Sequence, residues 1–280
     1  MNKAVKGIDH VVVMVDGIDA AQNAYEKLGF QVQPRGFHRK LGTANHLMIF
    51  DQDYFEILGI VEDTEFNAER REWLKSGGGL ANVALATDGA DLAFEAFKAA
   101  GLQPDAPLFF DRAVEIADKT EHAKFRTVRI PKQQMPVVGF FVCEHQTPQF
   151  VYRPEWARHA NGARGLLGVY VIAKQPEKWI STVEQYFGVD SARRTEEGVT
   201  VNTGTQPIHY LDRKAYAARF PGVVPVRPDD HPAALAIRVD SLAACEALLS
   251  KNGVRMLVQP GRLIVPPDQA AHLTIEFRER

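Results

Sequence analysis

The sequence is poor in cysteine and carries almost no net charge. Its 280 residues include two cysteines, Cys143 and Cys245, and the formal net charge is −2 at pH 7. Two cysteines do not make a disulfide framework, so a reducing compartment is favoured and we expect a cytoplasmic protein. A charge this close to zero gives no general attraction to nucleic acid or to an anionic membrane surface.

The sequence also lacks long apolar runs and the common phosphate-binding motifs. No uncharged apolar stretch approaches the roughly 20 residues of a membrane-spanning helix. The N-terminal apolar run is brief and lies between Asp9 and Asp16, which is atypical of a signal peptide. No glycine-rich phosphate loop, dinucleotide fingerprint or paired CxxC is present. The remaining composition, 45% apolar and 24% charged, predicts a globular protein with a sizeable core.

One order of predicted elements recurs four times along the chain. An apolar strand is followed by a segment with apolar residues at helical spacing, and strand and turn patterns come next. Each helix pattern stops at a glycine, which readily adopts the left-handed conformation that ends a helix. The copies begin near residues 7, 79, 165 and 231, and the stops are Gly29, Gly101, Gly188 and Gly253. A generic α+β protein with helix-stopping glycines is the alternative to a true repeat.

Two segments separate the copies. Residues 62–79, EDTEFNAERREWLKSGGG, read as a charged link between copies one and two. Residues 145–165 are rich in proline and glycine and contain Phe150, Tyr152 and Trp156, which suggests a linker that packs on the protein. We therefore predict a domain at 1–147, a linker at 148–164 and a second domain at 165–280.

Four βαβββ units in two pairs resemble the vicinal oxygen chelate superfamily, which includes glyoxalase I, extradiol dioxygenases and bleomycin-resistance proteins. The matching stretches are GIDHVVVMV, GFHRKLGTANHLMIF and YFEILGI, and they resemble the glyoxalase-like domain branch in particular. The resemblance implies an α+β fold in which four βαβββ units form two paired half-barrel domains. It also implies one divalent metal in a cup, held by the first and last strands of the units and chelated by substrate oxygens.

The resemblance implies a metal site in the first pair of units. His10 stands at the first-strand ligand position in GIDH, and Glu56 stands at the last-strand position in YFEILGI. The second unit has Asn82 at its first-strand position, where we expect a contact to substrate or water. Its last strand offers Glu144 and His145, which face opposite sides of a regular strand. We choose His145, because two histidines and a carboxylate commonly hold a catalytic divalent ion. A structural histidine at His10 and a surface-facing Glu56 are the alternatives.

Further polar residues are assigned to the substrate. The stretch GFHRKLGTANH bends at its glycines and carries His38, Asn45 and His46, and the linker adds His159. An alternative is a loop whose polar side chains bind their own backbone. The predicted roles are catalysis by Glu56 and His38, and substrate contacts by Asn45, His46, Asn82 and His159.

The second pair of units lacks a comparable set. Gly168 and Ala234 occupy the first-strand positions, and the last strands carry His209 and Glu276. We therefore expect the chemistry in the N-terminal half. The C-terminal half is predicted to be a degenerate copy that supports packing, closes the pocket or mediates a homodimer.

These predictions favour a metal-dependent enzyme that acts on a small oxygen-chelating substrate by isomerase, lyase or ring-opening chemistry. The expected cofactor is one divalent ion, with zinc, manganese, nickel and iron all open. The first alternative is a metal-free protein that binds small molecules or confers resistance, which Asn82 favours. The second is an extradiol dioxygenase, which the four-unit length favours. The expected partner is a small-molecule substrate, with no nucleic acid and no membrane.

Overall fold

The computed structural model describes residues 2–116 and 119–279. Its strands form two eight-stranded sheets, one from each half of the chain. The order strand, helix, three strands occurs four times, as the repeat predicts. The fold is therefore α+β, with two paired half-barrel domains.

The first sheet contains the first two units. The first unit comprises β1 (Ile8–Met14), α1 (Ile18–Lys27), β2 (Gly36–His38), β3 (Thr43–Ile49) and β4 (Tyr54–Ile60). The second comprises β5 (Gly79–Ala86), α3 (Ala90–Ala99), β6 (Leu108–Ile116), β7 (Lys119–Arg129) and β8 (Gly139–His145). A further helix, α2 (Ala68–Lys75), lies in the segment that the sequence predicts to be only a charged link.

The second sheet contains the last two units. The third unit comprises β9 (Ala163–Ile172), α4 (Ile180–Phe187), β10 (Ala192–Thr195), β11 (Gly198–Val201) and β12 (Ile208–Leu211). The fourth comprises β13 (His231–Val239), α6 (Leu242–Lys251), β14 (Leu257–Gln259), β15 (Arg262–Val265) and β16 (Thr274–Arg278). Helix α5 (Arg213–Arg219) lies between them and was not predicted from the sequence. In the described part of the chain, no helix has the length and apolar character needed to cross a membrane.

The predicted helix-ending glycines follow α1, α3, α4 and α6. Their φ angles are all positive, at 87°, 86°, 94° and 66° for Gly29, Gly101, Gly188 and Gly253. A residue with a Cβ is strained in this region, so glycine at these positions lets the chain leave the helix and turn toward the next strand.

The two units of each sheet meet at their first strands, which run antiparallel at the centre. Val11 pairs with Val83 in the first sheet, and Val169 pairs with Leu235 in the second. The last strand of each unit lies parallel to its first strand. This register relates the paired units by an approximate two-fold rotation, so it fixes which residues correspond.

One continuous apolar core joins the two halves. Val11 and Val13 point into it from β1, and Val169 and Val171 point into it from β9. The hydroxyl of Tyr25 on α1 donates to the Ala270 carbonyl oxygen across this core at 3.0 Å. Because side chains alternate along a strand, the intervening residues lie on the other face of each sheet. We call these faces the first cup (His10, Val12, Asn45, Glu56, Phe141) and the second cup (Tyr170, Ile172, Ala234, Ala236, Glu276).

The segment between the sheets packs on the first half, as its aromatic residues predict. Phe150, Tyr152 and Trp156 lie against the apolar cluster of the first cup. Farther along, the Asn161 side-chain amide donates to the Leu28 carbonyl oxygen at 2.9 Å. The division at 1–147, 148–164 and 165–280 stays a prediction, with β9 beginning at residue 163.

Candidate metal and substrate site

The first cup encloses a cavity of 370 Å³. This volume lies within the usual range for small-molecule sites, about 300–1,000 Å³. The cavity wall includes most of the predicted site residues: His10, His38, Asn45, Glu56 and Asn82. The rest of the lining is largely apolar, with Phe110, Phe125, Phe141 and Trp73 among its members.

His10 faces this cavity because β1 contains a bulge. Ile8 pairs with Leu85 and His10 pairs with Ala84, so Asp9 is an extra residue without its own partner on β5. Ile8 therefore points into the apolar core, whereas His10 joins Val12 and Met14 on the cup face. The bulge also leaves the buried Asp9 carboxylate beside the His10 ring.

Asp9 organises three polar side chains at one end of the cup. Its Oδ2 lies 2.5 Å from His10 Nδ1 and 3.0 Å from His145 Nε2, and its Oδ1 accepts from the Tyr152 hydroxyl at 2.7 Å. Burial raises the pKa of Asp9, but His145 and His10 together lower it further, and the net result is a pKa well below the usual range. The ionised carboxylate favours the proton on His10 Nδ1, so Nε2 keeps its lone pair toward the cavity.

The Glu56 carboxylate lies near the Nε2 atom of His10, which faces the cavity. Its Oε2 lies 3.7 Å from His10 Nε2, and its Oε1 accepts from the Asn45 side-chain amide at 2.6 Å. The His10 ring is held by a stacked Tyr54 with 4.2 Å between ring centroids. Two ligand atoms bound to one metal at about 2.0–2.2 Å each lie roughly 3–4 Å apart. The separation of His10 Nε2 and Glu56 Oε2 therefore suits two ligands of one divalent ion.

His38 lies on the far side of Asn45. Its Nδ1 is 3.1 Å from the Thr43 hydroxyl, and its Nε2 is 3.5 Å from the Asn45 amide nitrogen. Burial lowers the pKa of His38 to about 4, Arg112 and Arg70 add to this effect, and Glu56 opposes it. His38 is consequently neutral near pH 7.

The sheet register identifies the positions in the second unit that correspond to His10 and Glu56. Val11 and Val83 are opposite each other, so His10 corresponds to Asn82, as predicted. Glu56 is opposite Val12 and Phe141 is opposite Ala84, so Glu56 corresponds to Phe141. This corrects the expectation from the sequence, which places the matching residue at Glu144 or His145 and favours His145. The Phe141 ring instead packs edge-on against His10, with 5.5 Å between centroids.

His145 lies four residues beyond Phe141, on the same side of β8. It contacts Asp9, whereas Glu144 lies on the opposite side and its Oε2 accepts from the Ala90 backbone N–H at 2.7 Å. The Nδ1 atom of His145 is buried and has no hydrogen-bond partner among the described residues. His145 therefore adjoins the His10 site without occupying the expected last-strand position.

A second possible donor set lies around Asp9. Asp9, His10, Cys143 and His145 each offer one atom within 4.8 Å of the others. The Asp9 Oδ2 and His10 Nδ1 atoms are 2.5 Å apart, which is a hydrogen-bond distance and is short for two ligands of one ion. Burial also raises the pKa of the Cys143 thiol well above its usual value, which disfavours the thiolate that binds metals. His10 Nε2 and Glu56 Oε2 therefore fit a divalent ion better than this set.

Two predicted substrate contacts do not lie in the cup, which corrects the sequence interpretation. His46 follows Asn45 on β3 and points to the opposite face, where its Nδ1 is 2.8 Å from the Gln33 carbonyl oxygen. His159 lies in the linker, where its Nδ1 accepts from the Gln31 backbone N–H at 2.9 Å and its Nε2 is 2.8 Å from the Ile49 carbonyl oxygen. Hydrogen bonds to the backbone give both histidines a structural role.

The second cup is filled by the protein itself. Tyr216 and Phe220, from α5 and the residue after it, are buried against Tyr170 and Ala234. Glu276, at the position that corresponds to Phe141, is fully buried and paired with Arg219 at 2.5 and 2.7 Å. The other corresponding positions hold Gly168, Ala234 and His209. The expectation that the N-terminal half holds the chemistry stays a prediction, which this filled cup supports.

Four site residues were missed or left without a role in the sequence. Asp9 is visible beside His10, but the bulge that brings both to the site leaves no sequence signature. Tyr152 belongs to the aromatic linker, whose packing was predicted without a contact to the site. Arg70 and Arg112 also line the cavity, and no sequence pattern distinguishes them from surface arginines.

The comparisons with known proteins agree with this architecture. Residues 8–187 match the glyoxalase-like domain family, so the chain belongs to that family. A search of curated proteins finds no match.

Solved structures share the fold at low sequence identity. A hypothetical protein from Staphylococcus aureus has a TM-score of 0.72 and 12% identity, over 97% of this chain and 98% of that one. A xylose isomerase-like TIM barrel/4-hydroxyphenylpyruvate dioxygenase fusion protein has a TM-score of 0.65 and 15% identity, over 100% of this chain and 50% of that one. A mutant of 4-hydroxymandelate synthase from Streptomyces coelicolor has a TM-score of 0.59 and 12% identity, over 98% and 92%. At these identities the likeness concerns the fold alone.

Proposed function

We propose that this chain is a metal-dependent enzyme that acts on a small oxygenated substrate in the first cup. The observation that carries the proposal is the buried pair of His10 Nε2 and Glu56 Oε2, 3.7 Å apart on the cavity wall. Asp9 holds the His10 ring from behind, and Asn45 holds Glu56. Ligands oriented by second partners are typical of metal sites in proteins.

His10 and Glu56 would hold the ion, and His145 is retained as the third proposed ligand. His145 shares the Asp9 carboxylate with His10, and its Nδ1 atom lacks a partner among the described residues. A bound divalent ion would supply Lewis acidity to a substrate oxygen. Its identity as zinc, manganese, nickel or iron stays open.

The remaining cup residues position the substrate and move protons. His38 lies on the cavity wall beside Asn45, and on this position we assign it proton transfer. Asn82 and Asn45 offer amide groups to substrate oxygens. Glu56 stays a proposed catalytic residue, because it lies on the cavity wall beside His10 and would help to hold the ion. Proton movement of this kind serves isomerase, lyase and ring-opening reactions alike.

One observation favours a metal-free binding protein as the second candidate. In a symmetric cup, four positions would surround a shared ion. Asn82 and Phe141 occupy the two that correspond to His10 and Glu56. In this alternative, the aromatic wall binds the ligand, and His10 and Glu56 contribute hydrogen bonds only. The family resemblance would place the iron of an extradiol dioxygenase in the second half of the chain. The dioxygenase hypothesis therefore gains no such support, because α5 and its neighbours fill the second cup.

The test compares matched variants in the two cups. His10→Ala removes a proposed ligand, and His209→Ala removes the histidine that corresponds to Glu56 in the second cup. Each purified protein is titrated with zinc and with manganese in a calorimeter. His10→Ala should bind these ions at least about tenfold more weakly, because even the loss of a residue that orients a metal ligand typically lowers metal affinity 10–100-fold. His209→Ala should bind like the unmodified protein. Stoichiometric metal in His10→Ala at unchanged affinity contradicts the metal assignment.

The proposed location is a reducing, cytoplasmic compartment. Cys143 and Cys245 are both free and buried, and burial raises the pKa of both thiols. Thiols of this kind are packing residues and need no oxidising environment.

A further inference from the structure

Two of the arginines that line the first cup form no ion pair with a residue that the structure describes. Arg112 on β6 is buried and Arg70 on α2 is partly buried, and both lie on the cavity wall. Neither makes a hydrogen bond or an ion pair with any residue in 2–116 or 119–279. A buried guanidinium with unused donors is costly unless something else satisfies it.

The chain makes room for Arg112 at Gly36. A Cβ atom on Gly36 would lie 2.6 Å from Arg112 Cδ and 2.8 Å from its Nη1, so the arginine passes directly over this glycine. The same Cβ would lie 2.5 Å from Asn45 Oδ1, a buried acceptor with no hydrogen-bond partner in the described part of the chain. Glycine at this position thus brings the Arg112 donors next to the residue that holds Glu56.

The charged residues around the cavity include one more cation than anion. The cationic lining residues are Arg70, Arg112, Arg129 and Lys132, and the acidic ones are Glu56, Glu69 and Asp230. Glu69 pairs with Arg129, whereas Glu56 and Asp230 accept hydrogen bonds from neutral groups, the Asn45 amide and the Lys174 backbone N–H. Glu56 acts on Arg70 and Arg112 through space but forms no ion pair with either, so both guanidinium groups keep their donors for a ligand. Burial and the neighbouring Arg129 lower the pKa of Arg70 to about 10, which still leaves it charged near pH 7.

The remaining wall suits an apolar body attached to the anion. Phe110 and Phe125 stack with 5.2 Å between ring centroids, and Phe141 and Trp73 complete an aromatic lining. A cavity of 370 Å³ accommodates a molecule about the size of a substituted aromatic ring. A planar guanidinium matches a carboxylate with two parallel hydrogen bonds.

We propose that the first cup selects substrates with a carboxylate on an aromatic or similarly apolar body, and that Arg112 and Arg70 bind the carboxylate. The inference rests on the proposed function in placing the substrate in this cup. It does not require the metal, because the arginines lie on β6 and α2, apart from the His10 and Glu56 strands.

The test uses benzoate, its neutral analogue benzamide and phenyl phosphate as probes. Binding to the full chain, stripped of metal by a chelator, is measured by calorimetry and by ligand-observed NMR. Benzoate should bind at least about tenfold more tightly than benzamide, because one charge-assisted hydrogen bond contributes roughly 1.5–3 kcal/mol. Arg112→Gln and Arg70→Gln should each weaken benzoate by a similar factor and leave benzamide nearly unchanged. Arg126→Gln is the matched control, since Arg126 pairs with Asp91 outside the cavity.

Three results overturn the inference. They are equal affinity for benzoate and benzamide, unchanged benzoate affinity in both arginine variants, and no benzoate binding by the unmodified protein at millimolar concentration. If phenyl phosphate binds more tightly than benzoate, the cup prefers a phosphate to a carboxylate, and the proposed substrate class is contradicted. The His10→Ala variant separates the proposed metal site from the proposed arginine site. If this variant loses metal but still binds benzoate, both proposals are supported. Benzoate binding by a protein that never takes up metal upholds the arginine site alone.

Discussion

The buried ion pair in the second cup gives a sharp prediction about what that cup does. Glu276 is fully buried, and both of its oxygens accept from Arg219. Arg219→Met keeps an unbranched apolar stem against Tyr170 and Phe220 but removes the charge. If the second cup is a packing element, this variant should lose stability and keep the ligand-binding behaviour of the first cup.

The expected loss follows from leaving one charge unpaired. Breaking a buried ion pair by removing one partner costs about 3–5 kcal/mol. Arg262 Nη1 remains 3.5 Å from Glu276 Oε1, so the lower end of that range applies. A loss of about 3 kcal/mol is a large share of the 5–15 kcal/mol that stabilises a typical domain.

The loss should also depend on pH. Burial already raises the pKa of Glu276, while Arg219 lowers it, so removing Arg219 raises the folded-state pKa further above the unfolded value. A raised folded-state pKa means that the destabilisation is smallest at low pH, where Glu276 is protonated in both states. It grows as the pH rises through the folded-state pKa. The variant should therefore lose less stability at pH 5 than at pH 7.

Urea unfolding followed by circular dichroism at both pH values measures this effect. Arg238→Met is the control, because Arg238 is exposed and its contact with Asp51 is 3.7 Å long. Such an exposed pair contributes about 0–1 kcal/mol. A loss below about 1 kcal/mol for Arg219→Met at pH 7 refutes the reasoning, since it puts the buried pair in the range of surface pairs. So does an equal loss at both pH values.

Three further predictions concern the first half of the chain. Tyr152→Phe leaves Asp9 Oδ1 without its donor, so urea unfolding should show a loss of about 1–3 kcal/mol; a loss near zero contradicts the role given to the Asp9 network. Burial raises the pKa of Asp53 to about 7, so its contribution to stability is present below about pH 4 and is lost as the pH rises to about 7. Asp53→Asn should flatten this decline in the free energy of unfolding, and an unchanged profile contradicts it. The double variant Asn82→His with Phe141→Glu places ligand types at the positions that correspond to His10 and Glu56, so calorimetry should show tighter zinc binding; unchanged affinity contradicts the two-fold register.

The sequence predicts the fold well because the repeat is recognisable from patterns among neighbouring residues. Apolar spacing, strand alternation and the helix-ending glycines recur in every unit, and each depends only on neighbouring residues. Helix α2 is not predicted from these patterns, because Ala68–Lys75 is mostly charged and has no buried residue. Helix α5 is not predicted either, because Tyr216 and Phe220 fill the second cup, and this role depends on the tertiary structure.

The candidate site is only partly predictable, for physical reasons. His10 and Glu56 lie in the first-unit stretches GIDHVVVMV and YFEILGI, which carry the family resemblance. The residue that corresponds to Glu56 in the second unit depends on strand register, which the turn before β8 sets and no pattern reveals. The sequence therefore favours His145, whereas Phe141 occupies the position in the structure. The inward orientation of Arg112 likewise depends on the path over Gly36, which appears only in three dimensions.

The central claim is that the first cup holds one divalent ion between His10 and Glu56. The most direct measurement is elemental mass spectrometry on the full chain, purified without chelators and without a histidine tag. We expect about one divalent transition-metal ion per chain, and we expect this ion to be lost in His10→Ala but retained in His209→Ala. Protein that contains no metal, even after zinc, manganese, nickel and ferrous iron are added back, contradicts the claim and favours the metal-free binding protein.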